Sequence, residues 1–197
     1  MTETTVTPEA QALAAAPIRS VAPGVFDVDR VHTSIGFVAR HLMVAKVRGY
    51  FTDFSGSIVI ADDPLLSAAA ATISTSSINT ASERRDGHLR SADFFDCDQH
   101  PAMTFRSTTV LPHDSHAYTV LGDLTIKGQA RPVELEVEFN GQVIDPWGNQ
   151  RIAVSATAEI DRRDFGLTWN VPLAGGGLMV GNTIRIEIDA EAVRQSS

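Results

Sequence analysis

The sequence predicts an all-β fold, a single antiparallel barrel of about eight strands with one or two short helices. Three observations carry this expectation. From Gly24 onward apolar residues recur at every second position, clusters of turn-forming residues separate the runs, and no internal repeat or second block of composition calls for another domain. At 197 residues the chain is near the length at which one domain can bury a good core.

Residues 1–22 are rich in Thr, Ala, Glu and Pro and have no buried-face pattern. They read as a flexible tail, with Pro17 and Pro23 discouraging a helix that runs into the barrel domain at 23–195. Strands are expected at 24–28, at 32–40 on the alternation of Ile35, Phe37 and Ala39, and at 47–60 and 68–77. A short helical turn is expected near His41–Ala45. Thr80-Ala-Ser-Glu83 reads as a capping box, and 81 to about 92 then lacks β-branched residues, so a helix interrupts the sheet there. Gly87 inside it costs roughly 1 kcal/mol relative to Ala. Strands resume at 101–111, 116–126, 132–141, 150–162 and in the C-terminal segment. The clearest alternation sets Val133, Leu135, Val137 and Phe139 against Glu134, Glu136 and Glu138. A second sets Ile184, Ile186, Ile188 and Ala190 against Arg185, Glu187, Asp189 and Glu191. Asp62-Asp63-Pro64, Leu111-Pro112-His113-Asp114, Lys127-Gly128 and Asp145-Pro146-Trp147-Gly148-Asn149 supply the reversals that make neighbours antiparallel. Strands with one apolar and one charged face must close or stack, because open edges invite aggregation; closure into a barrel that encloses one small ligand is favoured over a filled sandwich.

Composition narrows the function classes. With 24 acidic against 16 basic residues the formal charge is −8, so nucleic-acid phosphates and anionic lipid surfaces are repelled on average. The first twenty residues lack the basic start and apolar run of a secretory signal, which reads as cytoplasmic, and no run of about 18 apolar residues could insert stably in a membrane. Cys97 stands alone and no metal-ligand spacing occurs, so neither a disulfide, a metal nor another cofactor is called for. Asp164-Phe165-Gly166 matches the kinase magnesium triplet without the glycine loop and lysine strand that chemistry needs. No serine sits in a nucleophile elbow, and Gly175-Gly176-Gly177 reads as a hairpin or rim loop. No catalytic residue is assigned.

One segment combines charge and grease. In Glu83–Asp96, Arg84, Arg85, His88 and Arg90 adjoin Phe94 and Phe95; on a helix Arg84 and His88 share one face and Asp86 and Arg90 another. Such guanidinium groups are either paired internally or placed at a barrel mouth to receive an anionic head group. Around them stand His32-Thr-Ser-Ile-Gly-Phe37-Val-Ala-Arg40-His41, Gly49-Tyr-Phe51-Thr-Asp-Phe54-Ser-Gly56, Arg85-Asp-Gly-His88-Leu89-Arg90, Gly122-Asp-Leu124-Thr-Ile-Lys-Gly128 and Arg162-Arg-Asp164-Phe165-Gly166. Together these motifs, over about 24–194, resemble the YceI-like family.

That resemblance implies a lipocalin-like eight-stranded barrel binding a polyisoprenoid lipid, an isoprenoid quinone or polyprenyl phosphate, in its core. Alternation and the resemblance nominate as cavity residues Ile35, Phe37, Phe51, Phe54, Leu89, Phe94, Phe95, Phe105, Leu124, Leu135, Val137, Phe139, Phe165 and Ile186. Charge and position nominate Arg40, His41, Arg84, Arg85, His88, Arg90 and Arg162 for the head group. The leading expectation is a carrier or store for a long isoprenoid. The rivals are an enzyme acting on the head group, with His88 or His100 as general base, and a barrel filled by its own side chains. A homodimer is compatible with either.

Overall fold

A computed structural model describes residues 18, 21–114 and 116–195. Eleven strands form one antiparallel sheet: β1 (Gly24–Val28), β2 (Ser34–His41), β3 (Ala45–Phe51), β4 (Phe54–Ile60), β5 (Ala68–Ser74), β6 (Ile78–Asn79), β7 (Ala102–Pro112), β8 (Ala117–Ile126), β9 (Gln129–Ile144), β10 (Gln150–Asp161) and β11 (Val180–Arg194). The hydrogen-bonded order is β1-β4-β5-β7-β8-β9-β10-β11-β2-β3-β6, and β1 also pairs with β11. Eight strands, β1 through β11 in that order, therefore close a barrel.

The three additional strands continue staves already in the ring. The N-terminal half of β11 pairs with β2 (Ile184↔Ala39 to Asp189↔Ser34) and its C-terminal end with β1 (Ala192↔Val28). β1 and β2 are thus one interrupted stave, as are β3 and β4, and β5 and β6. The run expected at 47–60 is accordingly split at Thr52–Asp53, and the one at 68–77 ends in a 3-10 turn, Thr75–Ser77. Register shifts at Ser107/Thr109, Ala153/Val154 and Val180/Ile184 supply the bends that closure needs. Since β7 begins only at Ala102, no strand continues the sheet beyond β6 among the described residues; helix α1 (Glu83–Arg90) packs there instead.

Two local expectations are corrected. The reversal after β2 is not a right-handed helical turn: Leu42 and Met43 have φ of 50° and 64°, which turns the chain back so that Ala45 pairs with His41. The helix begins at Glu83 with Ser82 as its N-cap, and Thr80 bonds further along, its hydroxyl donating to Asp86 Oδ1 at 2.5 Å and its backbone N–H at 3.0 Å. Asp86, buried, does what Glu83 was expected to do. Most of the tail expected at 1–22 lies outside the described residues, but Val21 is buried and Ile18 packs beside it against Phe26, Tyr118 and Phe139. No helix among the described residues is long and apolar enough to cross a membrane.

The interior follows the alternation. Val133, Leu135 and Phe139 are buried while the three glutamates between them face water. One core cluster, around Phe26, Ile60, Phe139 and Ile152, fills the end where β1 begins and β11 ends; a larger one, around Phe51, Phe54, Leu124 and Phe165, fills the middle below α1.

Candidate functional site

Two cavities lie along the barrel. The upper one, about 780 Å³, opens beneath α1 and is walled by Phe37, Val47, Leu89, Phe94, Trp169 and Met179 with Arg40, His41, Arg84, Arg85 and His88 at its rim. The lower one, about 170 Å³, is lined by Ile35, Ile58, Phe105, Leu135, Val137, Phe139 and Ile188 among others, without one charged side chain. Ile35 and Phe37 are successive inward residues of β2, so the chambers are separated by about 7 Å of strand.

Between them stands an aromatic layer. Phe51, directly across from Ile35, has its ring centroid 5.9 Å from that of Phe37 and 5.9 Å from that of Phe95. The Phe37 ring rests on Gly49 of the neighbouring strand: a Cβ there would lie 2.5 Å from Phe37 Cζ. Phe105 covers Gly122 in the same way, again at 2.5 Å. Glycine at these two positions lets a large ring lie flat against the wall and leaves room beyond it. Of the apolar residues nominated from sequence, Phe37, Leu89 and Phe94 line the upper chamber and Ile35, Phe105, Leu135, Val137 and Phe139 the lower. Phe51, Phe54, Leu124 and Phe165 are buried in the core between, with Phe95 and Ile186 packed against them.

The rim is built mainly by α1. Its i,i+4 spacing turns Arg84 and His88, and Arg85 and Leu89, toward the cavity. Arg85 is held by Thr80, donating from Nε to Oγ1 and from Nη2 to the carbonyl, both at 2.7 Å. His88 meets Asp93 Oδ2 at 2.8 Å, and its ring stands edge-on to Phe94 and Trp169 at 5.1 and 4.6 Å. Arg40, His41 and Arg84 have no side-chain hydrogen bond or ion pair among the described residues. The other two nominated cations lie elsewhere. Arg90 donates to the carbonyls of Ser76 and Ile78, both at 2.8 Å. Arg162, buried, donates to those of Gly181 and Leu167, and burial pushes its pKa down. His100 is also apart, in a groove with Lys127 and Arg131. Trp169, Val47 and Met179 were not singled out from sequence; Trp169 and Met179 come from the stretch before β11, where no alternation marks an inward face.

A cluster of charged side chains lies beside the β1–β2 turn. Ligand atoms of Asp29, His32 and Glu191 lie within 4.8 Å of one another. Arg151 sits among them, its Nη1 2.6 Å from Asp29 Oδ2 and 3.3 Å from Glu191 Oε2, with Nε 2.9 Å from Asp145 Oδ2. The Arg151 guanidinium, then His32, hold Asp29 far below the usual carboxylate range. Burial opposes ionisation of Asp145, but hydrogen bonds from Asn149, Arg151 and Trp147 N–H outweigh it and bring its pKa down to about 2. A guanidinium already supplies the positive charge a metal would bring.

The chain matches the YceI-like domain over residues 26–192. It belongs to the YceI-like family. Among YceI-like relatives, the UPF0312 protein SA2479 of Staphylococcus aureus strain N315 is 41% identical over 169 residues, 84% of this chain and 95% of that protein. The Campylobacter jejuni YceI protein superposes with a TM-score of 0.68 at 28% identity, covering 80% of this chain and 90% of its own. BcnA of Burkholderia cenocepacia gives 0.73 at 22% identity (84% and 99%), and a polyisoprenoid binding domain from Saccharophagus degradans 0.67 at 16% (86% and 98%). The last two likenesses are of fold, and with the YceI protein they agree on the closed eight-stranded barrel.

Proposed function

We propose that this YceI-like barrel is a binding protein, not an enzyme, that carries or stores a polyisoprenoid lipid with its tail in the chambers and an anionic head at the rim. One observation carries the reading: a cavity walled by Phe37, Leu89, Phe94 and Trp169 opens beside two arginines, Arg40 and Arg84, whose donors meet no acceptor among the described residues. The upper chamber falls in the range of about 300–1,000 Å³ usual for small-molecule sites, which are mostly apolar with a few convergent polar groups. Each buried methylene contributes roughly 0.8 kcal/mol, so a five-carbon isoprene unit offers about 4 kcal/mol before ordering costs, and a few units suffice for tight binding. The Saccharophagus domain, described as polyisoprenoid binding, has the same fold and supports the choice of lipid class.

Native mass spectrometry and organic extraction of protein from its own source test the reading. A retained isoprenoid is expected, and stripping it should lower the Tm, since a ligand held only by the folded state stabilises it by mass action. Arg40→Ala with Arg84→Ala should then weaken a polyprenyl phosphate several-fold and leave a quinone of matching tail unchanged. Stripped protein that melts unchanged would sink the proposal.

A further inference from the structure

Beside the upper chamber the β2–β3 turn carries three apolar residues in succession, Leu42, Met43 and Val44, exposed to 40%, 51% and 84%. Two of them are held in the left-handed region, which costs a non-glycine residue of order 1 kcal/mol or more and persists where the surroundings enforce it. Here Leu42 N–H donates to the Met179 carbonyl at 2.8 Å, and the Gly177 backbone packs on Met43, so the Gly-rich hairpin before β11 braces the turn. Apolar side chains fixed outward at the entrance of a cavity are not explained by the packing of the barrel.

Among the charges beside them, bases outnumber acids. Arg40 and Lys46 face each other across the β2–β3 pair, Arg48 follows, and all three line a groove outside the rim; the acids of that groove are Glu159 and Glu187, and Glu187 already pairs with Arg185. At the far end of the barrel Leu66 and Trp147 are also exposed, at 74% and 81%, but Asp62 and Asp63 precede Leu66, Asp145 stands in the turn of Trp147, and Asp114 lies in the β7–β8 turn. A molecule of net charge −8 with a cluster of bases beside its mouth is oriented by an anionic surface rather than simply repelled.

We infer that the Leu42–Val44 turn docks this barrel mouth-first on an anionic lipid bilayer, the apolar tips entering the interface and Arg40, Lys46 and Arg48 meeting lipid phosphates. The arrangement matches interfacial binding in general, where shallow apolar burial and attraction to anionic lipids add. It rests on the lipid-carrier reading, because a mouth against the bilayer is where such a ligand enters and leaves.

Cosedimentation of the full chain with phosphatidylcholine vesicles, with and without phosphatidylglycerol, tests it. The protein should pellet with the mixed vesicles only and be released at about 1 M salt, where the screening length falls to about 3 Å. Met43→Asp with Val44→Asp should reduce that partition at least about tenfold, roughly 1.4 kcal/mol; aspartate tolerates the left-handed backbone, so the turn is kept. Trp147→Asp should change nothing. Absence of pelleting, equal pelleting with neutral vesicles, or loss caused by Trp147→Asp and not by the turn variant would each overturn the docking surface. So would light scattering that finds a dimer dissolved by the turn variant, since the turn would then bind a second copy. Lipid retained by that variant in native mass spectrometry leaves the carrier reading standing whichever way docking falls.

Discussion

Arginine does opposite things in two regions of this barrel. Arg151 and Arg162 spend their donors inside the protein, the first on three carboxylates and the second on the carbonyls of Leu167 and Gly181. At the upper mouth Arg40 and Arg84 spend none among the described residues. A saturated guanidinium holds segments together: Arg151 ties the β1–β2 turn to the β9–β10 turn and to β11 across more than a hundred residues of chain. An unsaturated one beside an apolar cavity is available to a ligand. Residue type is the same in both places, and what separates structure from site is whether each donor already has an acceptor.

Substitutions can break this contrast in order of effect. Arg162→Met should be the most damaging, about 3 kcal/mol by chemical denaturation, because it strands carbonyls in a buried place where each unsatisfied group costs roughly 1–3 kcal/mol. Arg151→Met should cost about 2 kcal/mol, less than a fully buried pair because water reaches this cluster. It should also change the acid response. Asp29 and Asp145 are depressed in the folded state, so their contribution is present above their unfolded pKa of about 3.9 and is lost as pH falls toward 2. In Arg151→Met the fall in Tm between about pH 4 and pH 2 should therefore be shallower than in the parent. Arg40→Ala and Arg84→Ala should move stability by less than about 0.5 kcal/mol each, as surface changes do. A loss like that of Arg162→Met at either position would mean these residues are structural after all.

The closed sheet was legible in the sequence because alternation is a direct record of two unlike faces, as Val133–Phe139 and Ile184–Ala190 demonstrate. The breaks in three staves were not: at Thr52-Asp53 the apolar phase slips from odd positions (Val47, Phe51) to even ones (Phe54, Ile58, Ile60), a signal that treating 47–60 as one run passes over. At the site, charge and position nominated Arg84, Arg85 and His88 together with Arg40 and His41, and these five line one opening. Charge and position could not separate these from Arg90 and Arg162, whose partners are backbone carbonyls that leave no mark on composition. Arg151 was invisible for another reason: its carboxylate partners Asp29 and Glu191 lie far away in the chain.

The two ends of the barrel differ in how they can open. The lower ring, with β7, β8 and β9 between β5 and β10, has no free edge, so parting any two of its staves breaks a ladder that closure alone would restore. The upper flap of β2, β3 and β6 is fastened to the ring by β11 along one side and bounded by α1 on the other. Its last pairing, β3 with β6, spans only Tyr50↔Asn79 and Phe51↔Ile78. Ligand exchange is therefore separable from unfolding: the flap can swing out while the tube beneath stays intact, at a cost below the global one. Amides of β3 and β6 should accordingly exchange with solvent hydrogen well before those of β8 and β9, and the release rate of the lipid should follow the faster clock.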